Sequence, residues 1–138
     1  MAKAIREVMT SNPTTIEPTK SVADAAKIMK KEDAGIVPVV DGDQLAGTIT
    51  DRDIAIRVVA DGKDPQSTKV RDIMSTQIIT IDPQQNVDEA ARLMAQHQVR
   101  RLPVVEEDGK LVGIVAQADI ATQADAAKTG QMVEQISQ

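Results

Sequence analysis

Apolar residues along the chain fall into two kinds of pattern. Val22, Ala25, Ala26 and Met29 stand at i, i+3, i+4 and i+7, the spacing of one helix face, and Val87, Ala90, Ala91 and Met94 repeat it. Ser21-x-x-Asp24 and Asn86-x-x-Glu89 precede these faces as N-terminal capping signatures. Each helix leads into two short apolar runs that read as strands. In the first case they are Ile36–Val40 and Leu45–Thr50, joined by an Asp41-Gly42-Asp43 turn. In the second they are Leu102–Val105 and Leu111–Ala116, joined through Asp108-Gly109. Ahead of each helix the pattern predicts a short helical lead (Ile5–Met9, Val70–Met74). A short strand then follows around Thr15-Ile16 or Thr80-Ile81, ended by Pro18 or Pro83. A further helix is expected from about Asp51 to Ala60, stopped by Asp61-Gly62-Lys63-Asp64-Pro65. Beyond Ala124 the chain is polar, with a short helix expected near Gln131–Ile136.

The two series are copies. Arg6-Glu7-Val8-Met9-Thr10 returns as Arg71-Asp72-Ile73-Met74-Ser75, an offset of 65, and Pro38-Val39-Val40 returns as Pro103-Val104-Val105. One inserted residue near Gly109 then moves the offset to 66, so that Asp53-Ile54-Ala55 matches Asp119-Ile120-Ala121. Two copies are too few for an open solenoid, so they are expected to pack face to face, each covering the other's apolar surface. The resulting organisation is a first motif at 1–60, a linker at 61–68, a second motif at 69–124 and a polar tail at 125–138. The fold class is α/β, a β-α-β-β-α unit used twice with pseudo-two-fold symmetry.

Composition narrows the function. The chain of 138 residues has no Phe, Tyr, Trp or Cys and one His, His97, while 41% of its residues are hydrophobic. Its core must therefore be aliphatic. An aromatic platform for single-stranded nucleic acid, an aromatic cage, a thiolate nucleophile and a Cys-based zinc site are all excluded. A net charge of −5 is poorly suited to DNA or anionic membrane. No apolar run approaches the roughly 18–20 residues of a membrane span. The N-terminus has no signal-peptide apolar region, so a cytoplasmic protein is expected.

Arg-Glu-Val-Met at 6–9, Val-Pro-Val-Val at 37–40, Gly-Thr-Ile-Thr-Asp-Arg-Asp-Ile at 47–54 and their second-copy partners resemble a tandem pair of cystathionine β-synthase (CBS) domains. Thr-Asp-Arg-Asp-Ile at 50–54 and His-Gln-Val-Arg-Arg-Leu-Pro-Val at 97–104 resemble stand-alone bacterial CBS pairs, including the hypoxic-response type. The resemblance spans about residues 4–124. It implies a regulatory module that binds an adenosine-containing molecule such as AMP, ADP or ATP, with no required cofactor, no catalytic residue and no metal site. It also implies a homodimer and a regulated protein of unknown identity.

By that resemblance Thr50 offers its hydroxyl to a phosphate or ribose oxygen, and Asp53 accepts the ribose hydroxyls. The residues agree physically. Gly47 lets a backbone or a ligand come close. A carboxylate with two acceptor oxygens suits adjacent hydroxyls. Thr50-x-x-Asp53 is equally a helix N-cap with an acid at N3, and both readings stand. Thr15, Ile16, Ile36, Val37 and Pro38 would border the base, with Ile16, Val37 and Ile49 against its faces; all are equally strand core. Arg100 and Arg101 replace Gly35-Ile36 of the first copy and, by the resemblance, are candidates to reach phosphate across the central cleft, with Arg52 assisting; a solvated surface position or an ion pair with Glu106, Glu107 or Asp51 is the alternative.

The second copy departs from the pattern. Asp119 remains, but Ala116 replaces Thr50 and Gln117-Ala118 replaces Asp51-Arg52. A weaker or empty second site is expected there, around Thr80, Ile81, Leu102, Pro103 and Asp119. His97 reads as a surface residue at a helix end. Met9, Met29, Met74 and Met94 recur at matched positions and read as packing. A ligand-independent dimerisation or interaction domain is the competing function. An enzyme is disfavoured because the carboxylates stand without a Walker lysine, a His pair or a metal cluster. A DNA reader would need a basic helix, and none is evident.

Overall fold

The computed structural model describes residues 3–121. The helix expected near Gln131–Ile136 lies outside the described residues. The elements follow the repeat: α1 (Ile5–Val8), β1 (Thr10–Ser11), α2 (Val22–Glu32), β2 (Ile36–Asp41), β3 (Gln44–Thr50), α3 (Asp51–Ile54) continuing as a π-helical stretch (Ala55–Val59), α4 (Val70–Ile73), α5 (Val87–His97), β4 (Arg101–Val105) and β5 (Leu111–Ala116). Residues 117–121 begin a further helix, the counterpart of α3. The fold is mixed α/β, as the periodicity predicts.

The expected caps form. Ser21 Oγ accepts the Asp24 N–H at 3.1 Å, and Asn86 Oδ1 accepts the Glu89 N–H at 2.9 Å. Both helices end on a non-glycine residue in the left-handed region, Asp33 at φ 50° and Gln98 at φ 55°. Three of the four apolar positions of each helix are buried: Val22, Ala25 and Met29 in α2, and Val87, Ala90 and Met94 in α5. The second alanine of each pair, Ala26 and Ala91, is exposed, so the buried face is narrower than the i, i+3, i+4, i+7 spacing predicts. A 100° step per residue carries i+4 to the margin of the stripe, and the elements packed on these helices do not reach it.

Two further expectations are modified. The strand around Thr15-Ile16 is a single parallel bridge from Ile16 to Val39, and that around Thr80-Ile81 a single bridge from Ile81 to Val104. Ile16 N–H donates to Pro38 O, and Ile16 O accepts the Val40 N–H. The next donor on that edge would come from residue 18 or 83, both proline, so the ladder stops. The Asp51–Ala60 helix forms, but only its first turn is α-helical; Ala60 N–H reaches back five residues to Ala55 O.

The chain divides into two compact units, and the division by contact runs differently from the division by repeat. Unit 2 holds Pro13–Ile78 with Asp108–Leu111; unit 1 holds the residues up to Asn12, Ile79–Glu107 and those from Val112 on. Each leading segment therefore sits in the unit of the other copy's body. In unit 1, α1 docks through Ile5 N–H to Gln85 O, and β1 pairs antiparallel with β5, Thr10 opposite Ile114. In unit 2, α4 docks through Val70 N–H to Lys20 O, and Ser75 pairs with Thr48. Each unit has its own aliphatic core. Ile16, Val22, Val37, Val39, Ile49, Val58, Val70 and Ile73 build one; Ile5, Ile81, Val87, Leu102, Val104, Val115 and Ile120 build the other.

The docking explains two glycines. A β-carbon on Gly47 would stand 2.6 Å from the Ser75 carbonyl oxygen and 2.9 Å from the Met74 sulfur. One on Gly113 would stand 2.5 Å from the Met9 sulfur and 2.9 Å from the Thr10 carbonyl oxygen. Of the two partners the sequence allowed for Gly47, backbone or ligand, the structure supplies backbone.

Candidate functional site

In unit 2 the antiparallel pairing of β2 with β3 places Ile36 opposite Thr50, Val37 opposite Ile49 and Pro38 opposite Thr48. The strand then runs directly into α3, so that Thr50 is its N-cap. Thr50 and Asp53 form a reciprocal box. Thr50 Oγ1 accepts the Asp53 N–H at 3.0 Å, and Asp53 Oδ2 accepts the Thr50 N–H at 3.0 Å. The capping reading is thus realised, yet each side chain keeps capacity. Thr50 retains its hydroxyl proton as a donor, and Asp53 retains Oδ1 as an acceptor. Both residues are half-buried, while Asp51 and Arg52 are exposed.

The aliphatic residues around them are enclosed. Ile16, Val37 and Ile49 are 5%, 1% and 0% exposed and belong to the core cluster, and Pro38 is buried as well. Ile36 and Thr15 are half-buried. Thr15 and Ile16 also line a groove of about 1050 Å³ with Lys20, Lys27 and Arg71, and neither Thr50 nor Asp53 borders it.

In unit 1, Asp119 Oδ2 accepts the Ala116 N–H at 2.9 Å. Half of the box is kept, and the half that needs a hydroxyl at 116 is lost. Arg100 and Arg101 line a pocket of about 470 Å³ with Ala116, Gln117, Ala118 and Ala121. Neither forms the ion pair that the sequence offered as an alternative: Arg92–Glu89 is the one salt bridge among the described residues. Ile81 and Leu102 are core at 4% and 0% exposure, Pro103 is buried, and Thr80 is exposed. His97 is exposed at the end of α5. The structure brings the first-copy residues together in unit 2, and Arg100, Arg101 and the second-copy set in unit 1.

One contact escapes sequence reasoning. Asp51 N–H donates to Gly35 O at 2.9 Å, and a β-carbon on Gly35 would lie 2.9 Å from Asp51 Oδ2. Positions 35 and 51 therefore touch. The only signal in the sequence is that both change between the copies, Gly35 to Arg100 and Asp51 to Gln117.

The CBS domain profile matches residues 5–60 and 70–124. The chain belongs to the CBS domain family. CBS pair proteins are regulatory. The chain is 43% identical over 118 residues to the CBS domain-containing protein YhcV of Bacillus subtilis, covering 86% of this chain and 83% of that protein. The crystal structure of Hypoxic Response Protein I, with two coordinated zinc ions, superposes with a TM-score of 0.79 at 36% identity over 87% of this chain and 98% of that one. CBSX2 of Arabidopsis thaliana, solved in complex with AMP, superposes with a TM-score of 0.79 at 27% identity over 91% of this chain and 98% of that one. Among the described residues of this CBS pair, no group of three His, Cys, Asp or Glu side chains is placed to hold a metal ion. No helix among them is long and apolar enough to cross a membrane.

Proposed function

We propose that this CBS pair is a non-catalytic regulatory module that binds an adenosine nucleotide (AMP, ADP or ATP) and acts in the cytoplasm on a protein partner. The observation that carries this reading is the Thr50–Asp53 box with a hydroxyl proton and a carboxylate oxygen left over. A ribose needs those two groups: an acceptor for its hydroxyls and a donor for an ether or phosphate oxygen. Ile36, paired directly with Thr50, supplies an aliphatic wall. Of the backbone at 14–16 and 36–37 assigned to the polar edge of the base, the Ile16 N–H and carbonyl are already engaged by Pro38 and Val40, which leaves 14–15 and 36–37. A relative of the same fold holds AMP. Arg100 and Arg101 are the phosphate candidates, and Asp119 belongs to a second, weaker site. Binding regulates only if the ligand has different affinities for two states of the module.

Titration calorimetry of the whole chain with AMP, ADP and ATP tests the assignment beside Asp53→Ala. Loss of the binding event at the Thr50 site is expected in the variant, with any binding at Asp119 retained, and an unchanged titration sinks it. Because the chain lacks aromatic residues, co-purified nucleotide appears as a band near 260 nm over almost no protein absorbance at 280 nm. Phosphate release on long incubation, abolished by substituting Asp51 or Asp53, would replace this reading with a hydrolase.

A second reading, self-association, has its own support. Ile56 and Val59 on the π-helical stretch are 47% and 68% exposed, among the described residues the large apolar side chains left most open to water. We read that face as the seat of a homodimer, and this is compatible with the nucleotide function. Sedimentation of Ile56→Glu/Val59→Lys against the parent chain tests it, with monomerisation expected.

A further inference from the structure

We infer that Met9 and Met74 are a matched pair of oxidation sites: conversion of either thioether to its sulfoxide by a peroxide releases the leading segment that carries it from the hairpin on which it docks. This is independent of the adenosine reading. With no Cys, Trp or Tyr in the chain, the six methionines are its most readily oxidised side chains. Met1 and Met132 lie outside the described residues. The other four form two pairs related by the offset of 65, Met9 with Met74 and Met29 with Met94.

The two pairs are placed differently. Met29 and Met94, on α2 and α5, are 8% and 4% exposed and belong to the aliphatic cores. Met9 and Met74 are half-buried and pack against those cores from outside. Each is the C-cap of a leading helix, Met9 after α1 and Met74 after α4. Each lays its thioether on the glycine of the hairpin that receives the segment. The β-carbon position at Gly47 is 2.9 Å from the Met74 sulfur and 3.2 Å from its Cγ; that at Gly113 is 2.5 Å from the Met9 sulfur and 3.0 Å from its Cγ. Beside Met74, Thr48 N–H donates to Ser75 O at 3.0 Å and Ser75 N–H to Thr48 O at 2.8 Å. Beside Met9, Thr10 pairs with Ile114 and Ser11 with Gly113. The methionines thus cover the bare glycine face at the point where one or two backbone pairings hold each segment.

In the step itself, a sulfur lone pair attacks one oxygen of the peroxide. An S–O bond forms as the O–O bond breaks. The other oxygen leaves with the electron pair and takes the proton of the transferred oxygen, so that hydrogen peroxide is reduced to water while the thioether is oxidised to a sulfoxide. The product carries a polar oxygen on a sulfur that lies against a glycine in an aliphatic contact. Beside Met74 the Thr48 and Ser75 amides already donate to each other's carbonyls, and an acceptor enclosed without a donor is unfavourable. Lifting the segment hydrates the new oxygen at the cost of only those pairings. Sulfoxide reductases, one for each epimer, reverse the chemistry and let the segment dock again.

Dilute hydrogen peroxide on the folded full chain, followed by peptide mass spectrometry, reads oxygen uptake at each methionine. Met9 and Met74 are expected to react about tenfold or more faster than Met29 and Met94, and the four rates should converge in denaturant. Equal rates among the four in the folded chain overturn the assignment of the sites. Amide hydrogen exchange then reads the docking. Protection at Thr48 and Ser75, and across the β1–β5 pairing, should fall about tenfold or more on oxidation. It should return after treatment with both methionine sulfoxide reductases. Met74→Leu keeps the apolar volume without the reactive sulfur. Under peroxide it should hold protection at Thr48 and Ser75 while the β1–β5 pairing still loosens, and Met9→Leu should show the converse. Met74→Gln, which puts a polar oxygen near the same place, should loosen Thr48 and Ser75 without any oxidant. Unchanged protection once Met9 and Met74 are oxidised, or the same loss at Thr48 and Ser75 in Met74→Leu, overturns the release.

Discussion

The helix starts at Thr50–Asp53 and Ala116–Asp119 derive from the same repeat and keep the same backbone. Each follows a strand directly, and each carboxylate, Asp53 or Asp119, accepts the N–H of the residue three positions earlier at 3.0 or 2.9 Å. Their side-chain chemistry has nonetheless separated. The first copy has the hydroxyl that completes the cap and an anchored carboxylate beside it. The second has lost both and gained two arginines around a pocket. The lesson is that the repeated acid serves the helix start in both copies, while the side chains around it differ.

What the copies share should be the most costly to disturb. Gly47→Ala is expected to destabilise by about 2–4 kcal/mol, because the new methyl overlaps a backbone carbonyl that cannot move without breaking the Thr48–Ser75 pairing. Gly113→Ala should cost less, since its nearest neighbour is the movable Met9 side chain and the backbone carbonyl it meets, Thr10 O, stands at 2.9 Å rather than 2.6 Å. Chemical denaturation of the two variants checks the order, and equal losses would show that the two docking contacts carry the same load.

What the copies do not share should respond in opposite directions. Thr50→Ala is expected to cost about 1 kcal/mol by removing a cap, whereas Ala116→Thr, which completes the second box, should gain about 0.5–1 kcal/mol. A loss for Ala116→Thr would mean that the second helix start had settled into a geometry that no longer accepts the hydroxyl.

Smaller still are changes at the ends of α2 and α5. Gln98→Gly should stabilise by up to about 1 kcal/mol, as glycine adopts φ 55° without the β-carbon penalty. Asp33→Gly should gain less, because aspartate tolerates that region better. Glu89→Gln is expected to be nearly silent at neutral pH. The Arg92 guanidinium, at 2.5 and 3.1 Å, holds the Glu89 carboxyl below its ordinary value, but the pair lies on the surface. Its contribution is present above the ordinary glutamate range and is lost as pH falls through the lowered value. Any difference between parent and variant melting curves is therefore small at neutral pH and vanishes as pH falls through the lowered value.

Much of the molecule was legible in the chain itself. The repeat, the Ser21 and Asn86 caps, the two hairpins and the Thr50–Asp53 signature are local features. Each depends on residues a few positions apart, whose geometry is dictated by backbone period and side-chain reach. The exposed faces of Ala26 and Ala91 and the shortening of the Ile16 and Ile81 strands to single bridges were not legible, because they depend on which partner surface arrives and where its donors run out.

The sequence by itself determined the elements, their order and the identity of the capping carboxylates. Only the tertiary structure decided that Gly47 makes room for the Ser75 carbonyl, that each leading segment joins the other copy's body, and that Gly35 faces Asp51 as Arg100 faces Gln117. These pairs stand 16 to 28 residues apart or more, and nothing in local propensity couples them. Closing the chain brings them into contact, and only at Gly47 and Gly113 does that contact, with a backbone carbonyl, leave no room for a side chain.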